Sequence, residues 1–197
     1  MAILTGDHIR RRLESGDLVI TPLLDPASQI GEAAVDLRLG NEFICMRRPN
    51  VGEVDPSRGA HLRAEIEKYQ ERIRIRYHQR FTLHPRQFVL GASLEYVRLP
   101  NNVAGQVIGR SSWGRLGLII ATATAVAPSF KGCITLELVN LGEVPIVVYP
   151  GFRIAQLVLQ EATGPVEYSG RYQCPTGPQF SRVGEDADIG RWGADSG

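Results

Sequence analysis

The stretch FTLHPRQFVLGASLEYVRLP, residues Phe81 to Pro100, decides the fold because its apolar segments are typical of β-strands. It holds two strands, which a His-Pro turn and a glycine separate. The stretch VPIVVYPGFRIAQLVLQEA, residues 144–162, predicts two more strands around a turn at Pro150 and Gly151. Short strands with turns about every ten residues indicate an all-β sandwich, barrel or jelly roll.

A strand with one polar face is predicted in EAAVDLRLGNEFICM, residues 32–46, where apolar and polar residues alternate. Asp36 and Arg38 fall on the polar face, and we expect them to pair with each other. The polar, charged residues 47–80 form an excursion from the sheets, with a short helix from Ala60 to about Tyr69.

A short helix is predicted at the N-terminus, in MAILTGDHIRRRLESGD. Thr5 can cap this helix, Ile9 and Leu13 share one face of it, and Gly16 can end it. Combined with the strands, this gives a mainly β fold with one short N-terminal helix.

The composition indicates a single globular domain, because 197 residues with 43% hydrophobic side chains can build one core. The net charge is +1, from 22 basic and 21 acidic residues, which argues against broad attraction to nucleic acid or to a membrane. No apolar run is long enough to span a bilayer, and we expect no signal peptide.

Cysteine and histidine usage argues against a disulfide framework and against a zinc site. Cys45, Cys133 and Cys174 are odd in number, widely spaced and without a CxxC pair. A reducing cytoplasm is therefore the expected location. The four histidines form no ligand-like cluster, so no catalytic metal is expected.

An anion-binding turn is suggested within residues 109–137, GRSSWGRLGLIIATATAVAPSFKGCITLE. We expect Gly109 and Gly114 to let the backbone turn tightly and approach a ligand closely. Arg110, Ser111 and Ser112 then offer the guanidinium, hydroxyl and N–H donors that a phosphate needs. The alternative is a glycine-rich turn that carries a surface arginine.

Glu137 is a candidate general base, because strand alternation in KGCITLELVN places this carboxylate among apolar neighbours. Partial burial of a carboxylate raises its pKa. The alternative is a structural glutamate that is ion-paired with a nearby arginine, and Arg115 suits both interpretations.

The C-terminal residues are rich in glycine, proline and short polar side chains. The first part, with Arg171, Tyr172 and Arg182, is suited to closing over a ligand. We expect residues 183–197 to be a flexible tail after a single domain at residues 1–182.

The motifs quoted so far, taken in order, resemble the dCTP deaminase family of the dUTPase-like superfamily. The resemblance extends from the first helix to Arg182, and its strongest segments are AAVDLRLGN, LHPRQFVLGASLEYVRLP, GRSSWGRLGL, GCITLELVN, YPGFRIAQL and the C-terminal RYQ. It implies a distorted β-sandwich or jelly roll, assembled as a homotrimer with active sites between subunits.

The resemblance implies hydrolytic deamination of dCTP to dUTP and ammonia, without a catalytic metal and with Mg²⁺ bound to the triphosphate. Glu137 takes the position of the water-activating carboxylate. Ser111 and Arg115 match the residues that position the water and the base. Nucleotide-binding positions are implied at Arg110, Ser112, Ala123, Thr124, Arg171 and Tyr172.

Three positions depart from the family pattern. Thr124 replaces a usual histidine, and Pro175 replaces a glutamine that contacts nucleotide. Ala127 replaces the aspartate that activates water for pyrophosphate hydrolysis in dUTPases and bifunctional relatives, which argues against dUTPase activity. The alternatives are therefore an enzyme acting on another pyrimidine nucleotide and a non-catalytic nucleotide-binding regulator.

Overall fold

Twelve strands form the framework of the fold in a computed structural model that describes residues 2–47, 53–59, 61–121, 125–172 and 174–192. In chain order the strands are β1 (Val19–Thr21), β2 (Val35–Arg38), β3 (Glu42–Met46), β4 (Gln70–Arg74), β5 (Phe81–Leu83), β6 (Phe88–Arg98), β7 (Val103–Gly109), β8 (Leu118–Ile120), β9 (Ala125–Val126), β10 (Lys131–Asn140), β11 (Ile146–Val148) and β12 (Arg153–Glu161). The helices are α1 (Gly6–Glu14), α2 (Pro26–Gln29), α3 (His61–Tyr69), α4 (Ser111–Gly114) and α5 (Ala187–Trp192), with single 3₁₀ turns at Pro56–Arg58 and Val183–Glu185.

The strands pair antiparallel in two larger sheets and one two-stranded ribbon. The first sheet has the order β4-β3-β6-β10-β8, and β1 also pairs with β6. The second sheet has the order β2-β12-β7-β9, and the ribbon joins β5 to β11. The predicted mainly β fold with a short N-terminal helix is confirmed.

Side chains from both larger sheets enclose one apolar core. Leu136 and Leu138 of β10 and Leu157 and Leu159 of β12 are fully buried within it. The alternation of KGCITLELVN is confirmed for Leu136 and Leu138, since strand residues two apart share one face. Burying each such leucine stabilises the fold by roughly 1.5–3 kcal/mol.

The helix α1 covers one end of this core through Ile9, which is fully buried. Thr5 precedes the helix as predicted, but its hydroxyl contacts His8 Nδ1 at 2.9 Å instead of capping a backbone N–H. Gly16 follows the helix with φ +74°, the left-handed conformation that favours glycine at a helix end.

The predicted pairing of Asp36 with Arg38 is wrong. The carboxylate of Asp36 pairs with Arg153 and Arg110 across the sheet. The guanidinium of Arg38 donates to the Gln29 side chain and to a main-chain carbonyl. The partners come from β12, which pairs with β2, and from the residue before α4, so a pattern within β2 alone does not identify them.

The excursion before β5 contains α3 close to the predicted position, ending at Tyr69. Residues 183–192 form a 3₁₀ turn and α5, which contact the turn Pro56–Arg58. A domain boundary after residue 182 and a flexible tail beyond it stay predictions.

Candidate active site

A pocket of about 430 Å³ opens beside β10. Its lining is mainly apolar and includes Leu90, Ala127, Phe130, Cys133, Thr135, Glu137, Tyr168, Tyr172, Pro175 and Gln179. Cys133, Thr135 and Glu137 project from the same face of β10, since they alternate with the buried Ile134 and Leu136. Strand alternation therefore directs the one predicted general base into a pocket.

Glu137 is the only carboxylate among the described residues that line this pocket. It lies opposite Leu90 of β6, and its main-chain carbonyl accepts a 2.8 Å hydrogen bond from the N–H of Ala121. The side chain is half-buried, and this burial raises the pKa of Glu137 above its ordinary range. A carboxylate that takes up protons more readily than usual is suited to general base and acid chemistry.

The predicted anion-binding turn is the four-residue helix α4, which follows β7 directly. Ser111, Ser112 and Arg115 are exposed there, so their donors face solvent. The backbone turns here without a positive φ at Gly109 or Gly114, and the N–H of Gly117 donates to the carbonyl of Gly114 at 3.0 Å. The left-handed glycine is Gly117, where a side chain would meet the backbone of Gly142 at 2.7 Å.

Two polar side chains dock α4 onto β12. The indole N–H of Trp113 donates to the carbonyl of Arg153 at 2.9 Å, and the guanidinium of Arg110 donates to the same carbonyl at 3.2 Å. The backbone N–H of Arg110 also donates to Ile154 at 3.1 Å. The position of the turn is thus set by the first two residues of β12.

The structure does not bring all predicted site residues together within one chain. Glu137 and Tyr172 line the same pocket, whereas Arg110, Ser111, Ser112 and Arg115 are not among its described lining residues. Ala123 and Thr124 lie outside the described residues. The site residues of the described chain therefore occupy two separate surfaces.

The segment from residue 174 to 182 packs against β10 and forms one wall of the pocket. The N–H of Cys133 donates to the carbonyl of Pro175 at 2.7 Å, and the N–H of Gln179 donates to Thr135 Oγ1 at 3.2 Å. The ring of Pro175 lies against Gly132. This wall comes from the same chain as Glu137.

Arg171 is engaged within the C-terminal segment. Its guanidinium pairs with Asp186 and donates to the carbonyl of Arg182, whose own guanidinium returns a 2.6 Å bond to the carbonyl of Arg171. The Arg182 side chain also lies over the ring of Tyr172, 5.7 Å from its centroid. The C-terminal segment, which the sequence suggests as an arm that closes over a ligand, is therefore held by contacts between its own residues.

Several pocket residues did not emerge from the sequence. Thr135 shares the face of Glu137 two positions earlier, and the alternation of KGCITLELVN would have identified it. Phe130 and Tyr168 meet edge to face at 5.7 Å, and Gln179 enters from the C-terminal segment. These three depend on contacts distant in sequence, for which no local pattern exists.

Glu95 is a second carboxylate with a raised pKa, but it lies in the core rather than in the pocket. It is fully buried and accepts hydrogen bonds from Gln29 Nε2 at 3.0 Å and from the N–H of Arg38 at 2.9 Å. Burial raises the pKa of Glu95 to about 7, more than these two donors lower it.

Comparison with known proteins places the chain in a family. Residues 3–162 match the family described as dCTP deaminase-like. The protein belongs to the dCTP deaminase-like family.

Similar proteins occur in archaea and bacteria. The chain is 42% identical to the dCTP deaminase of Natronomonas pharaonis over 195 residues, which cover 95% of this chain and 98% of that protein. It is 42% identical over 195 residues to a protein of Halobacterium salinarum named dCTP deaminase, dUMP-forming, with the same coverage. A protein of Dictyoglomus thermophilum with this second name is 40% identical over 191 residues, or 93% of this chain and 96% of that protein.

A solved structure supports the fold. The 2'-deoxycytidine 5'-triphosphate deaminase of Agrobacterium tumefaciens superimposes with a TM-score of 0.61 at 22% identity. The superposition covers 80% of this chain and 46% of that one, so the chain spans less than half of that protein. Among the residues that the structure describes, no helix is long and apolar enough to cross a membrane.

Proposed function

We propose that this protein is an enzyme that hydrolyses the C4 amine of dCTP, giving dUTP and ammonia. The observation that carries the proposal is Glu137, a half-buried carboxylate with a raised pKa in a pocket of about 430 Å³. Membership of the dCTP deaminase-like family, and the names of the relatives at about 40% identity, support the choice of substrate.

Glu137 serves in both proton transfers of the proposed reaction. It takes a proton from water, whose oxygen forms the new bond to C4. It then delivers a proton to N3 or to the leaving amine, and the C4–N bond breaks to release ammonia. The apolar pocket wall limits hydration of the carboxylate and thereby keeps its pKa raised.

Ser111 and Arg115 act from a neighbouring copy of the chain in this proposal. Both are exposed on α4 and lie outside the pocket of their own chain. Ser111 positions the water or the exocyclic group, and Arg115 positions the base. A homotrimer with sites between subunits would unite the two surfaces.

An apolar patch beside α4 supports such an assembly. Leu116, Leu141 and Val144 are 60%, 65% and 66% exposed. They belong to adjacent segments, because the N–H of Leu141 donates to the carbonyl of Gly117 at 2.8 Å. We propose that this apolar patch, Leu116, Leu141 and Val144, is covered by a second copy.

The triphosphate, with its Mg²⁺, binds to Arg110, Ser112 and Arg171 in the proposed complex. These residues supply guanidinium and hydroxyl donors, which suit phosphate oxygens. Binding energy from the triphosphate is remote from C4 and orients the base for attack. A cytoplasmic location belongs to the same proposal.

We propose dUTP rather than dUMP as the product. Release of pyrophosphate from dUTP needs a second activated water, and the methyl group of Ala127 cannot activate one. Ala127 lines the pocket, where Glu137 is the only carboxylate among the described lining residues. Some relatives are named dCTP deaminase without a product, and others are named dUMP-forming, so the proposed product differs from the one that the second group of names states.

The proposal is tested by incubating the protein with Mg-dCTP and measuring ammonia, pyrophosphate and the separated nucleotides. Equal amounts of ammonia and dUTP without pyrophosphate are expected. Formation of dUMP with pyrophosphate would contradict the proposed product. Faster ammonia release from CTP or dCMP would contradict the substrate, and nucleotide binding without ammonia release would favour a regulator.

A further inference from the structure

Asp36 of β2 is a nearly buried carboxylate, 7% exposed, at the centre of a polar cluster. Its Oδ1 accepts a 3.0 Å hydrogen bond from Gln156 Nε2. Its Oδ2 accepts from the guanidinium of Arg153 at 3.2 Å and lies 3.5 Å from Nε of Arg110. One carboxylate therefore bridges two arginines, one from β12 and one from the turn that begins α4.

The guanidinium of Arg110 is held on two sides. Its Nε faces Asp36, and its NH1 donates to the carbonyl of Arg153 at 3.2 Å. Its NH2 makes no hydrogen bond to another residue in the described part of the chain. One nitrogen thus has a hydrogen bond, a second faces the Asp36 carboxylate, and the third is available to a ligand.

We propose that Asp36 is a positioning residue, which orients Arg110 so that its NH2 meets the triphosphate. The inference rests on the proposed function, because it takes Arg110 as a phosphate ligand. A free arginine loses rotamer entropy when it binds an anion. Asp36 and the Arg153 carbonyl restrict that side chain in advance, so binding loses less entropy.

The geometry also argues against Asp36 as a competitor of the phosphate. Its carboxylate faces Nε, and NH2 still has a donor hydrogen that is directed away from Nε, along which a phosphate can approach. Arg153 provides a second positive charge beside Asp36, which offsets repulsion between the carboxylate and the anion. Removal of the Asp36 charge should therefore weaken anion binding and not strengthen it.

The test is a double-mutant cycle of Asp36→Asn and Arg110→Ala, with dissociation constants measured by calorimetry for Mg-dCTP and for Mg-tripolyphosphate. Each single substitution should weaken binding of both ligands by about tenfold, the lower range for loss of a charge-assisted hydrogen bond. The double variant should bind no more weakly than Arg110→Ala alone, because Asp36 acts through Arg110.

A matched control and a kinetic readout separate positioning from general stability. Gln156→Ala removes another partner of Asp36 without contacting Arg110, and it should leave both dissociation constants within about twofold of the wild type. Asp36→Asn should raise KM for dCTP about tenfold while kcat changes little, as expected for a contact remote from C4. Additive effects in the cycle, tighter binding, or an equal loss in Gln156→Ala would overturn the inference.

If Asp36→Asn does not fold, Arg110→Lys provides a second test of the inference. Lysine keeps the charge but cannot contact Asp36, the Arg153 carbonyl and a phosphate in the same fork geometry. Its affinity should fall nearly as far as that of Arg110→Ala, and wild-type affinity would overturn the inference. A wild type that binds tripolyphosphate with the expected coupling but releases no ammonia would contradict only the proposed function.

Discussion

The backbone N–H of Cys133 donates a 2.7 Å hydrogen bond to the carbonyl of Pro175, which ties the C-terminal segment to the strand that carries Glu137. The preceding residue, Gly132, has φ +142° and lies against the proline ring. A side chain at Gly132 would come within 2.3 Å of Pro175 Cδ. The wall of the pocket therefore depends on a glycine at this position.

Gly132→Ala should detach this wall from β10 and destabilise the fold. The positive φ alone has an energetic penalty of order 1–3 kcal/mol for a residue with a side chain. We expect a lower melting temperature and faster tryptic cleavage after Arg171 or Arg182. Gly164→Ala is the control, since a Cβ there meets nothing within 4 Å. Equal protease resistance of the two variants would contradict this account of Gly132.

Glu137→Gln should lower ammonia release from saturating dCTP by about 10²–10⁴-fold, the range for loss of a general base. Nucleotide binding should persist, because the proposed triphosphate contacts are unchanged. Turnover is measured as ammonia release and binding by calorimetry, with the exposed Glu14→Gln as control. A folded variant that deaminates within a few-fold of the wild type would show that Glu137 is structural.

The rate of deamination should fall on the acid side at a higher pH than an ordinary glutamate would give. Burial raises the pKa of Glu137, so protons occupy the base at pH values where an exposed carboxylate, with a pKa of about 4.3, is still ionised. The measurement is kcat against pH, with a melting curve at each pH to exclude unfolding. An inflection at or below the ordinary glutamate pKa would contradict the raised value.

The strand pattern could be predicted from the sequence, whereas the assembly of the site could not. Alternation is local, and it placed Glu137 half-buried and Leu136 in the core. The partners of Asp36 and the fit of Pro175 against Gly132 are set by residues far apart in sequence. A short motif such as GRSS identifies hydrogen-bond donors, but it does not show which surface of the folded chain they lie on.

Glu95→Gln should flatten the dependence of stability on pH. The pKa of Glu95 is about 7 in the folded chain and about 4.3 when unfolded, so the folded state binds more protons between these values. Stability from this group is full below about pH 4.3 and is lost as the pH rises through about 7, a difference of about 4 kcal/mol.

The check is the melting temperature of wild type and Glu95→Gln from about pH 5 to about pH 8. The wild type should lose stability relative to the variant as the pH rises. The exposed Glu14→Gln should follow the wild type across the range. Parallel curves for wild type and Glu95→Gln would mean that the buried carboxyl does not titrate there.

Leu141→Glu should dissociate the proposed trimer without unfolding the chain. Leu141 is 65% exposed in the apolar patch, so a charge there is solvated in a monomer but buried in an interface. Light scattering of the wild type should give three times the chain mass of 21.7 kDa, and the variant should give the chain mass itself. Val54→Glu, at a 46% exposed residue of the excursion, is the control. A monomeric wild type at micromolar concentration would contradict the assembly.

The ion pair of Arg171 with Asp186 makes the C-terminal segment an internal competitor for any anion that Arg171 is to bind. Both residues belong to the same chain, so their pairing is intramolecular. The Asp186 carboxylate is therefore present near Arg171 at an effective concentration of about millimolar order, whatever the protein concentration. A triphosphate that uses Arg171 has to displace it. The apparent affinity of Arg171 for the triphosphate is thus lower than its intrinsic affinity. The fraction of Arg171 that is released from Asp186 depends on the nucleotide concentration.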